Sequence, residues 1–234
     1  MELSRTSWER LVKVPLEQSL TVIIPALNAA AGLGAVLSAC AGLPVVVVDG
    51  GSTDATAGVA RAAGARVIAA PRGRGGQLAA GAVAATGEWL LFLHADTRPG
   101  PGWREAVGAA MRDPARAHYF RFALDDPSPE ARRLERQVAW RCRVLALPYG
   151  DQGLLIHRML YEQVGGFRSI PLMEDVDLVR RLGRRRLAPM AAEALTSAAR
   201  WRREGWRRRS ARNLLCLSLW FLGVPPGAIR RLYG

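Results

Sequence analysis

The sequence predicts an α/β fold with a mostly parallel central sheet, helices on both faces, a second half of mixed strand direction and a helical C-terminus. Three observations carry this expectation. Val45-Val46-Val47-Val48 is a β-branched apolar run, too short for a membrane span, and reads as a strand buried on both faces, as in parallel sheets. Short apolar runs alternate with helical stretches from residue 20 to residue 97, in βαβα order. After Pro99-Gly100-Pro101-Gly102 that rhythm changes.

The first strand is expected over residues 20–25, then a helix over about 28–41, the strand 45–48 and a helix over 54–63. Residues 66–69 read as a short strand, 77–85 as a helix of small residues, and 88–93 as a strand ending at His94-Ala95-Asp96. Past the Pro-Gly break come a helix to about residue 111, an alternating strand over 118–124 and a charged helix over 129–145. Residues 153–157 suit a strand, 158–164 a short helix, and 174–182 a helix with carboxylates in its first turn. The last thirty residues read as helical, with Pro225-Pro226 breaking the segment beyond residue 224.

At 234 residues and 50% hydrophobic content the chain can bury a full core, and without a linker or repeat it reads as one domain over 1–234. The segment up to Ser19 has no continuous apolar stretch of the secretory kind, so a cytoplasmic location is expected. Cys40, Cys142 and Cys216 are far apart and read as buried thiols, not as a metal or disulfide framework.

The charge is unevenly placed. Residues 1–177 carry 19 basic against 18 acidic side chains, whereas residues 178–234 carry 14 arginines against two glutamates. Such a block attracts polyanions, whether nucleic acid or an anionic membrane. The aromatics of that quarter, Trp201, Trp206, Trp220 and Phe221, match no nucleic-acid module and mostly adjoin apolar residues, so no nucleic-acid partner is expected. Residues 214–222 are nearly all apolar but too few to span a bilayer, leaving two placements: packed into the domain or lying in a membrane interface. The Arg207-Arg208-Arg209 run directly before them favours peripheral contact with an anionic membrane, at the inner face of the membrane.

Several segments carry chemistry. Asp49 falls at the carboxyl end of a buried strand, where α/β sheets hold ligands; Gly50 and Gly51 permit close backbone approach, and Ser52 or Asp54 can cap the next helix. His94 and Asp96, two apart on an extended segment, point to the same side and can meet one Mg²⁺ or Mn²⁺ shared with a nucleoside diphosphate. Arg72-Gly73-Arg74-Gly75-Gly76-Gln77 leads into a helix, where backbone amides and two guanidinium groups suit phosphates, although it is not a P-loop. Glu174 and Asp175, followed by Asp177, open a helix; the macrodipole alone favours acids there, and one of them can also serve as a general base toward a hydroxyl.

Taken together and in this order, these segments resemble the family 2 glycosyltransferases of the GT-A fold, over about residues 20–201. The resemblance rests on Val22-Ile23-Ile24-Pro25-Ala26-Leu27-Asn28, Val48-Asp49-Gly50-Gly51-Ser52-Thr53-Asp54, the Arg72 to Gln77 loop, His94-Ala95-Asp96 in place of Asp-x-Asp, and Met173-Glu174-Asp175-Val176-Asp177. It is nearest to a small bacterial branch with His-Ala-Asp-Thr, a Gly-Asp-Gln-Gly element and no transmembrane helices. Ala29 stands where many relatives have Glu, and His94 where they have an acid.

The resemblance implies an inverting transferase that moves a sugar from a nucleotide-diphosphate sugar, UDP- or GDP-linked, to an acceptor hydroxyl. Residues 20–97 would be its nucleotide-binding half, 98–201 its acceptor half and 202–234 a basic and apolar tail. Pro25, Ala26, Asn28, Asp49, Gly51, Ser52, Arg72, Arg74, Gln77, Asp96, Arg200 and Trp201 would hold the nucleotide sugar. Asp96 would be the main ligand of Mn²⁺ or Mg²⁺, with His94 beside it. Asp175 would be the base, with Glu174 as second candidate or acceptor contact, and Asp151 and Gln152 would lie by the acceptor, which is unidentified and, given the basic tail, could be lipid-linked. A dinucleotide-dependent oxidoreductase would need glycines after the first strand, where this chain has Leu27-Asn28-Ala29-Ala30. A non-catalytic sugar-nucleotide binder would show the same groups without turnover.

Overall fold

In a computed structural model describing residues 19–233, the first half runs β1 (Leu20–Ala26), α1 (Ala30–Ala39), β2 (Val45–Asp49), α2 (Thr56–Ala62), β3 (Arg66–Ala69), α3 (Arg74–Ala84) and β4 (Trp89–Phe92). The second half runs β5 (Thr97–Pro99), α4 (Trp103–Ala110), β6 (Ala117–Leu124), α5 (Pro129–Leu145), β7 (Leu154–His157), α6 (Arg158–Gln163), α7 (Glu174–Leu182) and β8 (Leu187–Thr196). Three helices complete the chain: α8 (Ala199–Glu204), α9 (Trp206–Phe221) and α10 (Pro226–Tyr233).

The eight strands form one sheet in the order β3-β2-β1-β4-β7-β6-β8-β5. Strands β3, β2, β1 and β4 are parallel, β7 is antiparallel to both β4 and β6, β8 runs parallel to β6, and β5 antiparallel to β8. This is the expected α/β class with a mixed second half.

Alternate side chains of the parallel strands enter different cores, because successive Cβ atoms point to opposite faces of a sheet. Val22, Ile24, Val47 and Leu91 pack with Leu33, Val36 and Leu37 of α1. Ile23, Val46, Val48, Leu90 and Phe92 pack on the other face with Leu78 and Ala82 of α3. Burial on both faces is why the valine run shows no alternation of polarity.

Several boundaries differ from expectation for identifiable reasons. Helices α1 and α2 start late because one carboxylate serves both: Asp54 accepts from Ala30 N at 3.2 Å and from Thr56 N at 3.0 Å. Ser52 does not cap; its hydroxyl accepts from Asn28 N at 2.9 Å and donates to Asp49 at 2.5 Å. Helix α3 starts at Arg74, earlier than expected, and Gly75 lets it approach closely, since a Cβ there would lie 2.2 Å from Arg168 O. Strands β5 and β8 were not expected; β8 is alanine-rich and contains Pro189, and pairing with β6 and β5, not local propensity, makes it a strand. Pro225-Pro226 does not end the helical tail: Pro226 opens α10, where its missing N–H costs nothing.

The three cysteines are buried and free, as expected. The apolar stretch 214–222 divides between the two placements open to it. Cys216 and Leu217 pack with Ile229 against Leu147, Met173, Val176 and Val179, while Leu214, Leu215, Phe221 and Leu222 are exposed. No helix among the described residues is long and apolar enough to cross a membrane. The leader-free reading of the segment before Ser19 falls outside the described residues.

Helix α3 reaches the sheet through Gly81, where a Cβ would stand 2.3 Å from Ile23 Cγ2 and 3.0 Å from Val48 Cγ2. Alanine gains about 1 kcal/mol of helix propensity over glycine, but overpacking a filled core costs about 1–3 kcal/mol. Gly81→Ala is therefore expected to destabilise the protein by about 1 kcal/mol in urea unfolding; a variant more stable than wild type would show that the helix can lift off without loss.

Candidate active site

The carboxyl ends of β1 and β2 carry the first group of expected residues. Gln77 is buried, and its Nε2 donates to Ala26 O at 2.9 Å and Val48 O at 2.8 Å, locking the two strand ends together. The amide nitrogen thus braces the scaffold while Gln77 also lines the cavity beside it, and a Cβ on Gly50 would stand 3.0 Å from that nitrogen. Asn28 sits at φ 49°, and its Oδ1 accepts from Thr53 N at 2.9 Å. Asp49 accepts from Ser52 N at 3.2 Å, so Asn28, Asp49, Ser52 and Thr53 hold one another, with Gly51 at φ 89° making the turn. Beside them Pro25, Ala26, Leu27, Arg72, Arg74 and Pro171 line a cavity of about 220 Å³.

A second cavity of about 130 Å³ lies on the other side of Arg74 and is lined by His94, Asp96, Asp151, Asp175, Arg200 and Trp201 among others. His94 and Asp96 both reach it, but not by strand alternation. Residues 95 and 96 form a turn closed by Thr97 N donating to His94 O at 3.2 Å. His94 Nε2 lies 3.4 Å from Arg74 Nη1, and because a guanidinium only donates, the ring accepts there and carries its proton on Nδ1. Burial and then the Arg74 charge push His94 down to about 4, so it is neutral at ordinary pH. Gly150 must lack a side chain, since a Cβ would stand 2.6 Å from His94 Nε2.

The two carboxylates that open α7 differ sharply. Glu174 is 1% exposed and paired with Arg74; burial raises its carboxyl above the usual range while Arg74 pulls it back. Glu174 and Asp175 in turn hold Arg74 protonated against its own burial. Asp175 faces the cavity, oriented by Gly150 N donating to its Oδ2 at 2.8 Å. Asp177 pairs with Arg168 and Arg181 on the far side.

Asp151 and Gln152 are separated just as sharply. Asp151 lines the cavity, its Oδ1 buried without a partner, and burial pushes its carboxyl up to about 6 against the pull of Arg141. Gln152 is 2% exposed; its Oε1 accepts from Tyr149 N at 3.2 Å and its Nε2 donates to Phe120 O at 3.1 Å. Gln152 therefore has both ends of its amide engaged inside the fold and does not line the cavity, whereas Glu174 meets Arg74 through one carboxylate oxygen. Arg200 Nη2 lies 3.9 Å from Asp96, and Trp201 is buried, stacked on Trp206 at 5.9 Å. The cavity also takes Thr196 and Ser197 from the end of β8 and Arg209, Asn213 and Tyr233 from the tail. Sequence reading missed these, although Arg209 and Asn213 stand one helical turn apart just ahead of the apolar anchors.

Comparison with known proteins places this geometry. The family model described as glycosyl transferase family 2 matches residues 21–167. The chain belongs to that family. A pre-mycofactocin glycosyltransferase of Mycobacterium tuberculosis is 32% identical over 204 residues, covering 77% of this chain and 43% of the relative. An uncharacterized glycosyltransferase of Mycobacterium bovis is 45% identical over 80 residues, 33% of this chain and 37% of the relative. The chain thus spans less than half the length of these curated relatives. Among solved structures, glucosyl-3-phosphoglycerate synthase from Mycobacterium tuberculosis, with Mn²⁺, UDP and glucosyl-3-phosphoglycerate, superposes with TM-score 0.55 at 20% identity, covering 84% of this chain and 76% of that one. A mannosyltransferase from Pyrobaculum calidifontis, with GDP-Man and Mn²⁺, gives 0.60 at 22% identity, covering 89% and 68%. These likenesses fix the fold of this family 2 member as GT-A.

Asp151 yields a stability prediction for this family 2 member. Its folded carboxyl titrates near 6, above the usual Asp value near 4, so the folded state holds the proton more tightly. The contribution is fully present below about pH 4 and is lost as pH rises through 6. Asp151→Asn should therefore match wild type near pH 4 and become more stable by about 2 kcal/mol above pH 6, read as a melting-temperature difference that grows with pH. A difference independent of pH would place the carboxylate in contact with water.

Proposed function

We propose that this chain transfers a sugar from a nucleoside diphosphate donor to an acceptor hydroxyl, with inversion at the anomeric carbon. The observation that carries the reading is Arg74, whose side chain lines both cavities, so that a diphosphate held at the first lies beside Asp175 in the second. Pro25, Ala26 and Arg72 would flank the nucleotide, while Asn28, Asp49, Gly51 and Ser52 would form its base-side loop. UDP and GDP-Man in the structural neighbours support a UDP- or GDP-sugar donor.

Asp175 would take the proton of the attacking hydroxyl as the new glycosidic bond forms. The bond from the anomeric carbon to the diphosphate oxygen breaks on the opposite face, and the nucleoside diphosphate leaves with the electron pair. Arg74 and Arg200 would offset the charge that grows on it. The pairing of Glu174 with Arg74 favours Asp175 over Glu174 as the base.

A single carboxylate, that of Asp96, would leave most positions of a hard cation to diphosphate oxygens and water. Asp96 offers carboxylate oxygens at the cavity wall, and no group of three or more His, Cys, Asp or Glu able to hold an ion occurs among the described residues. Asp96 would hold the Mn²⁺ or Mg²⁺, with His94 beside it as a neutral ring turned to Arg74. Such an ion would supply positive charge to the diphosphate.

Asp175→Asn keeps the shape of the side chain and should bind nucleoside diphosphate as wild type does while turnover falls roughly 10²- to 10⁴-fold. Asp96→Ala should weaken that binding in Mn²⁺ and abolish its sensitivity to chelator. Full turnover in Asp175→Asn would assign the base elsewhere, and unchanged Mn²⁺-dependent binding in Asp96→Ala would remove Asp96 from the ion.

The tail supports a peripheral contact with an anionic membrane and hence a lipid-linked acceptor. Arg207, Arg208, Leu214, Leu215, Phe221 and Leu222 are all exposed and keep to the spacing of one face of α9. Cations at one end and apolar side chains at the other suit the headgroup boundary, each arginine contributing about 1 kcal/mol near anionic lipid. Liposome co-sedimentation should require anionic lipid, weaken with salt and be lost in Leu215→Ser with Leu222→Ser; equal recovery in the supernatant with neutral and anionic vesicles would make the face an ordinary surface.

A further inference from the structure

The second cavity is closed on one side by the tail. Arg209 and Asn213 of α9 and Tyr233 of α10 line it opposite Asp96, Asp151 and Asp175. What holds the tail there is the lower part of the same helical face, where Cys216 and Leu217, with Ile229, pack against Met173, Val176 and Val179 around α7. The face is thus apolar where it grips the domain and polar where it meets the cavity.

Among the described residues four buried side-chain atoms have no hydrogen-bond partner: Asp151 Oδ1, Arg209 Nε, Arg212 Nε and Asn213 Oδ1. Three of the four belong to residues lining this one cavity. Arg209 is only 9% exposed, its Nη1 donating to Glu204 at 2.9 Å and its guanidinium lying 5.1 Å from the Trp201 ring, so its place is fixed while Nε stays unpaired. Buried polar atoms are ordinarily paired, and such a concentration at one cavity marks a surface shaped for a ligand with matching polarity.

The chemistry of that ligand is set by the donors and acceptors. Two unpaired oxygens need donors and one unpaired N–H needs an acceptor, a demand that hydroxyl groups meet because each can do both. The charges balance without an anionic group: Arg74, Arg200 and Arg209 line the cavity against Asp96, Asp151 and Asp175, and Glu174 and Glu204 already pair with Arg74 and Arg209.

Resting on the glycosyl-transfer reading above, we propose that Asp151, Arg209 and Asn213 form an acceptor subsite for an uncharged polyhydroxylated group, a polyol or sugar, of which one hydroxyl is presented to Asp175. The tail is then part of substrate selection. The same hydroxylated group could arrive free in solution or as the headgroup of a lipid.

The test uses the full chain with Mn²⁺ and UDP- or GDP-sugars, reading nucleoside diphosphate release above the acceptor-free rate. Glycerol, ribitol, glucose and methyl glucoside are offered in solution, glucosyl-diacylglycerol in phosphatidylcholine vesicles that contain phosphatidic acid, and phosphoglyceric acid as the anionic comparator. Stimulation by a hydroxylated compound is expected, in the soluble or the vesicle arm according to its source, with phosphoglyceric acid ineffective. Asn213→Leu and Arg209→Met should each raise KM for that acceptor about tenfold, with nucleoside diphosphate affinity within twofold of wild type. Asn213→Leu should not lower the melting temperature, which separates an acceptor contact from a structural one. Preference for phosphoglyceric acid, unchanged acceptor KM in both variants, or donor binding without stimulation by any hydroxylated compound would overturn the subsite. Absence of nucleotide binding would overturn the proposed function and the subsite with it.

Discussion

The pairing of Arg74 with the buried Glu174 sets the geometry on which the two cavities depend. It joins the first turn of α3, in the parallel half of the sheet, to the first turn of α7, a hundred residues later. Gly75 makes the junction close enough, with Arg168 O and Glu174 Cβ against its Cα. Only the Glu174 end is dry: its carboxylate is 1% exposed whereas the Arg74 side chain is 39% exposed, so losing the arginine would strand a buried carboxylate while losing the glutamate would leave a partly hydrated guanidinium. Because Arg74 also meets His94 Nε2, the same side chain holds the ring neutral and fixes which ring nitrogen bears its proton.

Around that pair the polar residues fall into two kinds that sequence cannot separate. Gln152 looks like a ligand group but is spent on a backbone carbonyl and amide inside the fold, and Gln77 gives its Nε2 to two strand carbonyls while lining the first cavity. Asp151 and Asp175 keep oxygens at the cavity wall and are held there by their surroundings. Adjacent residues thus diverge completely: Asp151 from Gln152, and Glu174 from Asp175. An amide or carboxylate beside a glycine reads alike in either case, and only the position of the neighbouring backbone decides.

The parallel half was largely legible because its inner strands β1, β2 and β4 are buried on both faces and each helix is small-residue or amphipathic, so local pattern and tertiary role agree. The site was legible in part. The acids at strand and helix ends were expected at the ligand side, yet same-side spacing on an extended segment does not describe His94 and Asp96, since a turn brings them together. Strand β8 was missed because four alanines and a proline carry no strand signal, and the ladder to β6 supplies what the side chains do not. The cavity-facing part of the tail was hidden for a related reason: arginines in a basic run look solvated until a helix period assigns them to one side.

The placement of β5 has a consequence in time. Among the described residues Thr97–Pro99 pairs with β8 and with no other strand, so this short segment waits for residues almost a hundred positions downstream before it has a partner. Contacts that span so much chain form late, after the local βαβ units have collapsed. The turn that carries Asp96 leads directly into β5. A chain emerging from the ribosome can therefore assemble its parallel strands and the Gln77 brace while the acid at the centre of the cleft still lacks its anchoring strand, and the pocket acquires its final shape only with the last third of synthesis.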